Sequence, residues 1–438
     1  MLRRILTDGI DEFDLTDIAV YRARGGYETL RRAVATMTPA EVVAEVKASG
    51  LRGRGGAYAP TGTLKWASLP DDGRPRYLIL NGDESEPGSF SGRLLLERNP
   101  HLVLEGALLT AYACRIAKVF IYLRGEFHEA HAVVERAIAQ AEAAGLCGDN
   151  VAAGTFGVPL ILHRGAGAYI CGEETAIMES LEGRRGHPRS RPPFPTSAGL
   201  YGMPTLINNV ETIANVVPIV AHSGAWYAGI GAPKCPGTKI CSISGRVRRP
   251  GNYEIETGTP LREFLLEHAG GLESGHSLKF ILPAGASSAL VLPKDLDVPL
   301  DYESMLAIGS MLGSAGMLVC DDRDCAVRVA HLGLRFYHHE SCGKCTPCRE
   351  GTGWAERILN RMVSGEGRPG DAARLADLCR GIGGRKCLCP LGDFSVTYLQ
   401  SALRAFPEEF AAHERGECSI CHGRQRPAAL VESGRKYL

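Results

Sequence analysis

Arg76-Tyr-Leu-Ile-Leu-Asn-Gly-Asp-Glu-Ser-Glu-Pro-Gly88 decides how this chain folds. Residues 76–80 are a short apolar run of β character, and the run breaks at once into polar, glycine-bearing sequence. Two later segments have the same form. Residues 119–123 run into Arg124-Gly-Glu, and residues 158–163 run into Arg164-Gly-Ala-Gly. Helical patterns fill the gaps, at 94–115 and 129–144. Strand, helix, strand, helix, strand predicts a parallel α/β sheet. In such a sheet a ligand sits at the carboxyl ends of the strands, so these polar ends mark the candidate site.

Working outward, residues 1–50 read as helices. A glycine-rich loop follows, Gly50-Leu-Arg-Gly-Arg-Gly-Gly-Ala57. From Lys239 the texture changes to a hairpin turning at Pro250-Gly251, a helix at 261–268 stopped by Gly270-Gly271, and a strand at 279–282. This predicts a small α+β module over 238–325, and the chain from Leu332 onward is helical.

The chain has 438 residues, enough for two to four domains with real cores. Lys and Arg number 49 against 49 Asp and Glu, which argues against a nucleic-acid partner. The first residues turn acidic by Asp8, too early for a signal peptide, and no apolar run reaches the length of a membrane span. Fifteen cysteines, mostly late in a large chain, fit reduced, metal-binding thiols better than a disulfide framework. Cys114, Cys147, Cys171, Cys235 and Cys241 are scattered and read as small core residues.

The late cysteines carry the strongest chemistry. In Glu340-Ser-Cys342-Gly-Lys-Cys345-Thr-Pro-Cys348-Arg-Glu-Gly, three thiols stand at i, i+3 and i+6 on a turn. A cubic iron–sulfur cluster takes three such sulfurs and a fourth from elsewhere. Cys389, in Cys387-Leu-Cys389-Pro-Leu-Gly-Asp, competes for that place with Cys387 and Cys379. Zinc is the alternative, though it usually takes two separated CxxC knuckles or added histidines. The tail repeats a lone Cys418-Ser-Ile-Cys421, which would bind metal only if Cys320 with Cys325, or Cys379 with Cys387, joined it.

The strand ends carry other candidates. The Gly53–Gly56 loop, with Lys65 close behind, can offer successive amides to a phosphate, or be only a flexible loop. Asp83, Glu84 and Glu86 would form a solvated loop or a divalent-metal site. Gly165-Ala-Gly-Ala-Tyr169-Ile-Cys-Gly172-Glu173-Glu174 opens a helix, and so does Asn208-Asn209-Val-Glu-Thr212; ordinary capping explains both equally well.

Taken together and in order, these strings resemble the family of flavin-bearing, NADH-oxidising 51 kDa (F) subunits of respiratory complex I. The resemblance covers about 50–410 and includes Arg191-Pro-Pro-Phe194-Pro. It implies an α/β fold with N-terminal helices and a Rossmann-like FMN/NADH-binding domain (1–237). A ubiquitin-like β-grasp module (238–325) and a C-terminal four-helix bundle with a [4Fe–4S] cluster (326–438) would follow. It implies FMN on Gly53, Arg54, Gly55 and Gly56, surrounded by Lys65, Asn81, Asp83, Glu84, Tyr169, Gly172, Glu173, Asn208, Asn209 and Thr212. Glu86 and Glu174 would be the catalytic carboxylates lining the nicotinamide site, and Phe194 would stack on adenine. Cys342, Cys345, Cys348 and Cys389 would hold the cluster. The implied partners are a thioredoxin-like [2Fe–2S] protein and further iron–sulfur subunits. The implied place is cytoplasmic, peripheral to a membrane, with no direct insertion.

The chain departs from that family at the entry to the site. Tyr58 replaces a glycine, Ala59 and Ala67 or Ser68 replace two phenylalanines, and Thr63 is an extra residue. Tyr58 would either supply a substitute ring or fill the nucleotide channel. Ser91-Gly92 stands where the family commonly has Lys-Asp, and the Cys418–Cys421 tail is additional. These departures suggest a divergent paralogue. They leave open a different electron donor, reverse transfer to NAD(P)⁺, or a scaffold that has lost turnover.

Overall fold

The computed structural model describes residues 3–148 and 156–422. The chain divides into two compact units: residues 1–273 with 281–319, and residues 274–280 with 320–438. The end of the expected 326–438 segment, beyond residue 422, lies outside the described residues.

The first unit opens with helices α1 (Ile18–Ala23), α2 (Glu28–Thr36) and α3 (Pro39–Ala48). The α3 start is a capping box, in which the Thr38 side chain accepts from the Glu41 amide and Glu41 reaches back to Thr38. The parallel sheet then forms from β1 (Arg76–Gly82), β2 (Ile116–Leu123), β3 (Leu160–Arg164) and β4 (Thr205–Asn209). Its order is β3-β2-β1-β4, and every pairing is parallel. The expected β-α-β-α-β series is therefore present. Not expected from the sequence was β4, a strand of five residues that is buried up to its last.

The helical pattern expected at 94–115 is two helices, α4 (Ser91–Arg98) and α5 (Pro100–Cys114). Pro100 explains the break: without an N–H it cannot continue a helix, but it suits a first turn. Helix α5 is buried almost throughout and carries Glu105 into the core, where Tyr21 Oη (2.6 Å), the Tyr27 amide (2.9 Å) and the Leu30 amide (3.1 Å) all donate to it. These bonds satisfy a carboxylate that burial would otherwise heavily penalise, and they fix the N-terminal helices on α5.

After a two-stranded pair, β5 (Gly231–Ala232) and β6 (Cys235–Pro236), a second sheet forms. It contains β7 (Thr238–Gly245), β8 (Gly251–Glu256), β9 (Leu278–Ala286) and β10 (Gly316–Asp321), in the order β8-β7-β10-β9. The β7–β8 hairpin is antiparallel and β7–β10 is parallel, a mixed sheet of β-grasp character.

The second unit holds helices Ala326–Glu340, Thr346–Val363, Asp371–Ile382 and Leu391–Ala405. Each packs on the next and the fourth returns to the first, the expected four-helix bundle; Pro407–Glu414 lies against it. No described helix is long and apolar enough to cross a membrane.

Candidate functional site

The strand order fixes where the site lies. β1 pairs with β2 on one side and β4 on the other, so the direction of winding reverses between β1 and β4. Chain leaving β1 and chain leaving β4 diverge there, opening a crevice at their carboxyl ends. Asn81–Glu86 leave β1 at that point, and Asn208–Thr212 leave β4.

The glycine loop folds onto the β4 end. It closes by Gly53 N–H donating to the Ala59 carbonyl (2.9 Å) and Thr61 N–H to that of Leu51 (2.9 Å). The Arg54 amide donates to Thr212 Oγ1 (2.7 Å), and Asn209 Oδ1 accepts from the Thr212 amide (3.2 Å). Gly55 passes so near that a Cβ there would stand 2.9 Å from Asn209 Cβ, and Gly56 holds φ at +114°, so both positions need glycine. The Gly55 and Gly56 amides meet no acceptor among the described residues, and Gly55 is exposed. Successive outward amides of this kind suit a phosphate. The Arg54 guanidinium does not join them: it is buried, donating to Tyr227 Oη (3.2 Å) and to the Pro236 carbonyl.

Tyr58 is turned into the protein. Its ring is 1% exposed, at φ +50°, and stacks on Tyr302 with centroids 5.2 Å apart. The extra residue Thr63 falls in a π-helical turn, Thr61–Lys65. One added residue widens a helical turn from the i+4 to the i+5 spacing, so the flanks keep their places. Lys65 Nζ donates to the Ile207 carbonyl (3.0 Å), and Trp66 Nε1 donates to Asn208 Oδ1 (3.3 Å).

The β1 end is tied to the segment after β3. Asn81 Nδ2 donates to the Gly172 carbonyl (2.9 Å), and a Cβ on Gly172 would lie 3.2 Å from the Asp83 carbonyl. Asp83 accepts from Ser85 Oγ. Tyr169 Oη donates to Glu86 Oε2 (2.9 Å). Glu86 also accepts from the Ser287 amide (3.2 Å) and Ser287 Oγ (2.5 Å), at the end of β9. Burial outweighs these bonds and pushes its carboxyl up to about 7.

Two of the carboxylates cap helices. Glu84 accepts from Ser89 Oγ, Ser91 Oγ and the Gly92 and Arg93 amides at 2.9–3.1 Å, which is how Ser91-Gly92 is used at the start of α4. Glu173 caps α7 (Glu174–Leu181; residues 128–143 form α6), accepting from the Thr175 and Ala176 amides at 2.9 Å. Glu174 meets Lys65 Nζ (3.5 Å) and Arg191 (2.9 Å), and Arg191 also meets Glu173 (2.5 Å). Phe194 stands just beyond, 55% exposed. Ser287, Trp66 and Arg191 are given no role by the sequence reading: Trp66 and Arg191 lie away from the strand ends, and only folding brings Ser287, at the end of β9, to Glu86.

In the second unit, Cys342 and Cys345 are half-buried and Cys348 is buried. Burial, and then the neighbouring Cys342 and Cys345 sulfurs, raise the Cys348 thiol above its usual range. The Leu388 amide donates to Cys345 Sγ (3.2 Å), so the Cys387–Cys389 loop lies against the triple run. The Cys387 thiol points to the Ile382 carbonyl (3.8 Å) and packs where a Cβ on Gly392 would be 2.5 Å away; burial pushes it up to about 11. Among the described residues, the groups of three or more ligand atoms within 4.8 Å of one another do not include the Cys342 run. Three thiols on one turn with a further thiol loop against them are the donor set of a multi-iron cluster, which fits these residues better than zinc.

Comparison with known proteins agrees with this geometry. Residues 46–218 match the family described as the Nuo51 FMN-binding domain, 240–283 an SLBB domain, and 328–413 the NADH-ubiquinone oxidoreductase-F iron-sulfur binding region. The chain is 48% identical over 414 residues to the F 2 subunit of NADH-quinone oxidoreductase of Rhizobium meliloti (strain 1021), covering 94% of this chain and 98% of that one. It is 46% identical over 404 residues to the F subunit of the same enzyme of Escherichia coli (strain K12), covering 92% and 91%. Among solved structures, an NAD⁺-reducing [NiFe]-hydrogenase in the air-oxidized state matches with TM-score 0.79 and 32% identity, over 94% of this chain and 67% of that one. A crevice at the β1–β4 reversal, a set of thiols on a helical bundle and near-complete coverage of these relatives lead to one conclusion: the chain belongs to the family of NADH-quinone oxidoreductase F subunits.

Proposed function

We propose that this chain is the electron-input subunit of a complex I-like NADH dehydrogenase, binding FMN and NADH in the first unit and a [4Fe–4S] cluster in the second. The observation that carries this reading is the convergence at the β1–β4 crevice. Four segments separated in sequence are bonded there into one wall: the glycine loop, the β1 end, the 169–174 segment and the β4 end. Bound flavin accepts two electrons as hydride and releases them singly, which is what a one-electron cluster requires.

The residues divide the remaining work. The Gly55 and Gly56 amides and Lys65 suit the flavin phosphate; Asn81, Asp83, Asn208 and Asn209 present polar atoms along the crevice. Glu84 and Glu173 act as caps that set the α4 and α7 entries. Glu86 and Glu174 line the nicotinamide side, and exposed Phe194 offers a ring to adenine. Cys342, Cys345, Cys348 and Cys389 are the cluster ligands in this reading. Partners would include a thioredoxin-like [2Fe–2S] protein, and the assembly would sit at the cytoplasmic face of a membrane.

Anaerobic addition of NADH to the purified protein tests this. The flavin absorbance should bleach and the cluster should then become reduced. If FMN is bound and neither NADH nor NADPH bleaches it, the dehydrogenase reading fails and a non-turning scaffold replaces it.

A further inference from the structure

The Cys418-Ser-Ile-Cys421 turn has no part in that electron path, yet the fold does not leave it alone. Its two sulfurs gather with Cys325 Sγ and a nitrogen of His413, and all four ligand atoms lie within 4.8 Å of one another. Cys325 Sγ is 3.5 Å from His413 Nε2 and 4.0 Å from Cys418 Sγ. A tetrahedral ion with bonds of about 2.3 Å to sulfur and about 2.0 Å to nitrogen sets edges of roughly 3.8 Å and roughly 3.5 Å. The group therefore already has the dimensions of a cage around one ion.

The surroundings match. His413 Nδ1 lies 2.8 Å from the Glu409 carbonyl one turn earlier, so it carries the proton and turns the Nε2 lone pair toward the sulfurs. The Cys421 amide points at Cys418 Sγ (3.4 Å), a backbone donor that favours thiolate. Cys325, His413 and Cys418 are buried, and Cys421 is half-buried. Of the two pairs expected to join the turn, Cys320 with Cys325 or Cys379 with Cys387, only Cys325 is in the group. His413 was not foreseen, because a lone histidine on a helix gives no local signal.

We propose that Cys325, His413, Cys418 and Cys421 form a structural zinc site that fastens the C-terminal segment to the start of the first bundle helix. Three sulfurs and one nitrogen complete a tetrahedron and leave no open position, the pattern of structural zinc rather than catalytic zinc. Cys325 is the N-cap of the Ala326–Glu340 helix, His413 lies on Pro407–Glu414, Cys418 just precedes the last described turn, Ser419–His422, and Cys421 lies within it. One ion would thus tie the start of that helix to two neighbouring turns about 90 residues later in the chain.

The test is elemental analysis of the full-length protein with its cofactors, purified without a histidine tag or chelator. About one zinc per chain is expected in addition to the cluster iron. Cys418→Ser and Cys421→Ser should each lose the zinc while iron and flavin per chain stay at wild-type levels. Exchange of wild-type protein with cobalt(II) should give thiolate charge-transfer absorption and intense tetrahedral d–d bands, a readout that holds even if a variant folds poorly. Zinc-free wild-type protein with no cobalt bands would overturn the proposal. So would iron at this site, a Cys325–Cys418 disulfide, or zinc retained in Cys418→Ser.

Discussion

Glu86 accepts from Tyr169 and Ser287, yet its carboxyl sits at about 7 instead of the ordinary 4.5, because burial penalises the charged form first. Its folded form is the better proton binder, so its stabilising contribution is full below about 4.5 and is lost as pH rises through about 7. The whole effect is about 3 kcal/mol at most. Thermal midpoints measured from pH 4.5 to 8 should therefore show a downward component that Glu86→Gln removes; an unchanged slope in the variant would place the titration elsewhere. The two cysteines of the late loop behave differently. Cys387 is already turned to the Ile382 carbonyl, so Cys387→Ala should retain the cluster's electron-paramagnetic signal and Cys389→Ala should abolish it. The opposite result would exchange the two residues. Glu86 and the Cys342 run were legible from sequence because each lies in a short, dense motif. Ser287 and His413 were not, since their roles depend on contacts across about 200 and 88 positions of chain.

At the scale of elements, the site depends on how closely α5 approaches the helix Val210–Ala214 that carries Thr212. A Cβ on Gly106 would stand 2.2 Å from the Ile213 carbonyl oxygen, and backbone cannot yield as a side chain can. Gly106→Ala should cost about 1–3 kcal/mol in chemical denaturation and weaken flavin retention together. Glu84 gathers its four donors at the α4 start, so Glu84→Gln should cost about 0.5–2 kcal/mol without changing cluster content. Strands β1 to β3 were legible as apolar runs ended by glycine. β4 escaped because Thr205-Leu-Ile has only three residues before its asparagines, too few to show a period. The break between α4 and α5 was written in Asn99-Pro100, but a continuous apolar pattern runs across it.

The whole molecule is two compact units with separate cofactor roles. Heating followed by flavin fluorescence and by cluster absorption should therefore give two midpoints that do not coincide; a single shared midpoint would mean that the units unfold as one. Fold class was readable at this scale because strand–helix alternation and the cysteine run each imply an architecture. Neither implied that the loop after β9 would complete the β1 site. The Thr61–Lys65 turn has a further consequence at this scale. Counting forward from the glycine loop in a relative that lacks Thr63 puts every later position out of step by one. Anchoring instead on Lys65 and Trp66, which the Ile207 carbonyl and Asn208 hold in place, restores the correspondence. The widened turn works as an expansion joint: chain length can drift on the loop side while the crevice side keeps its registration.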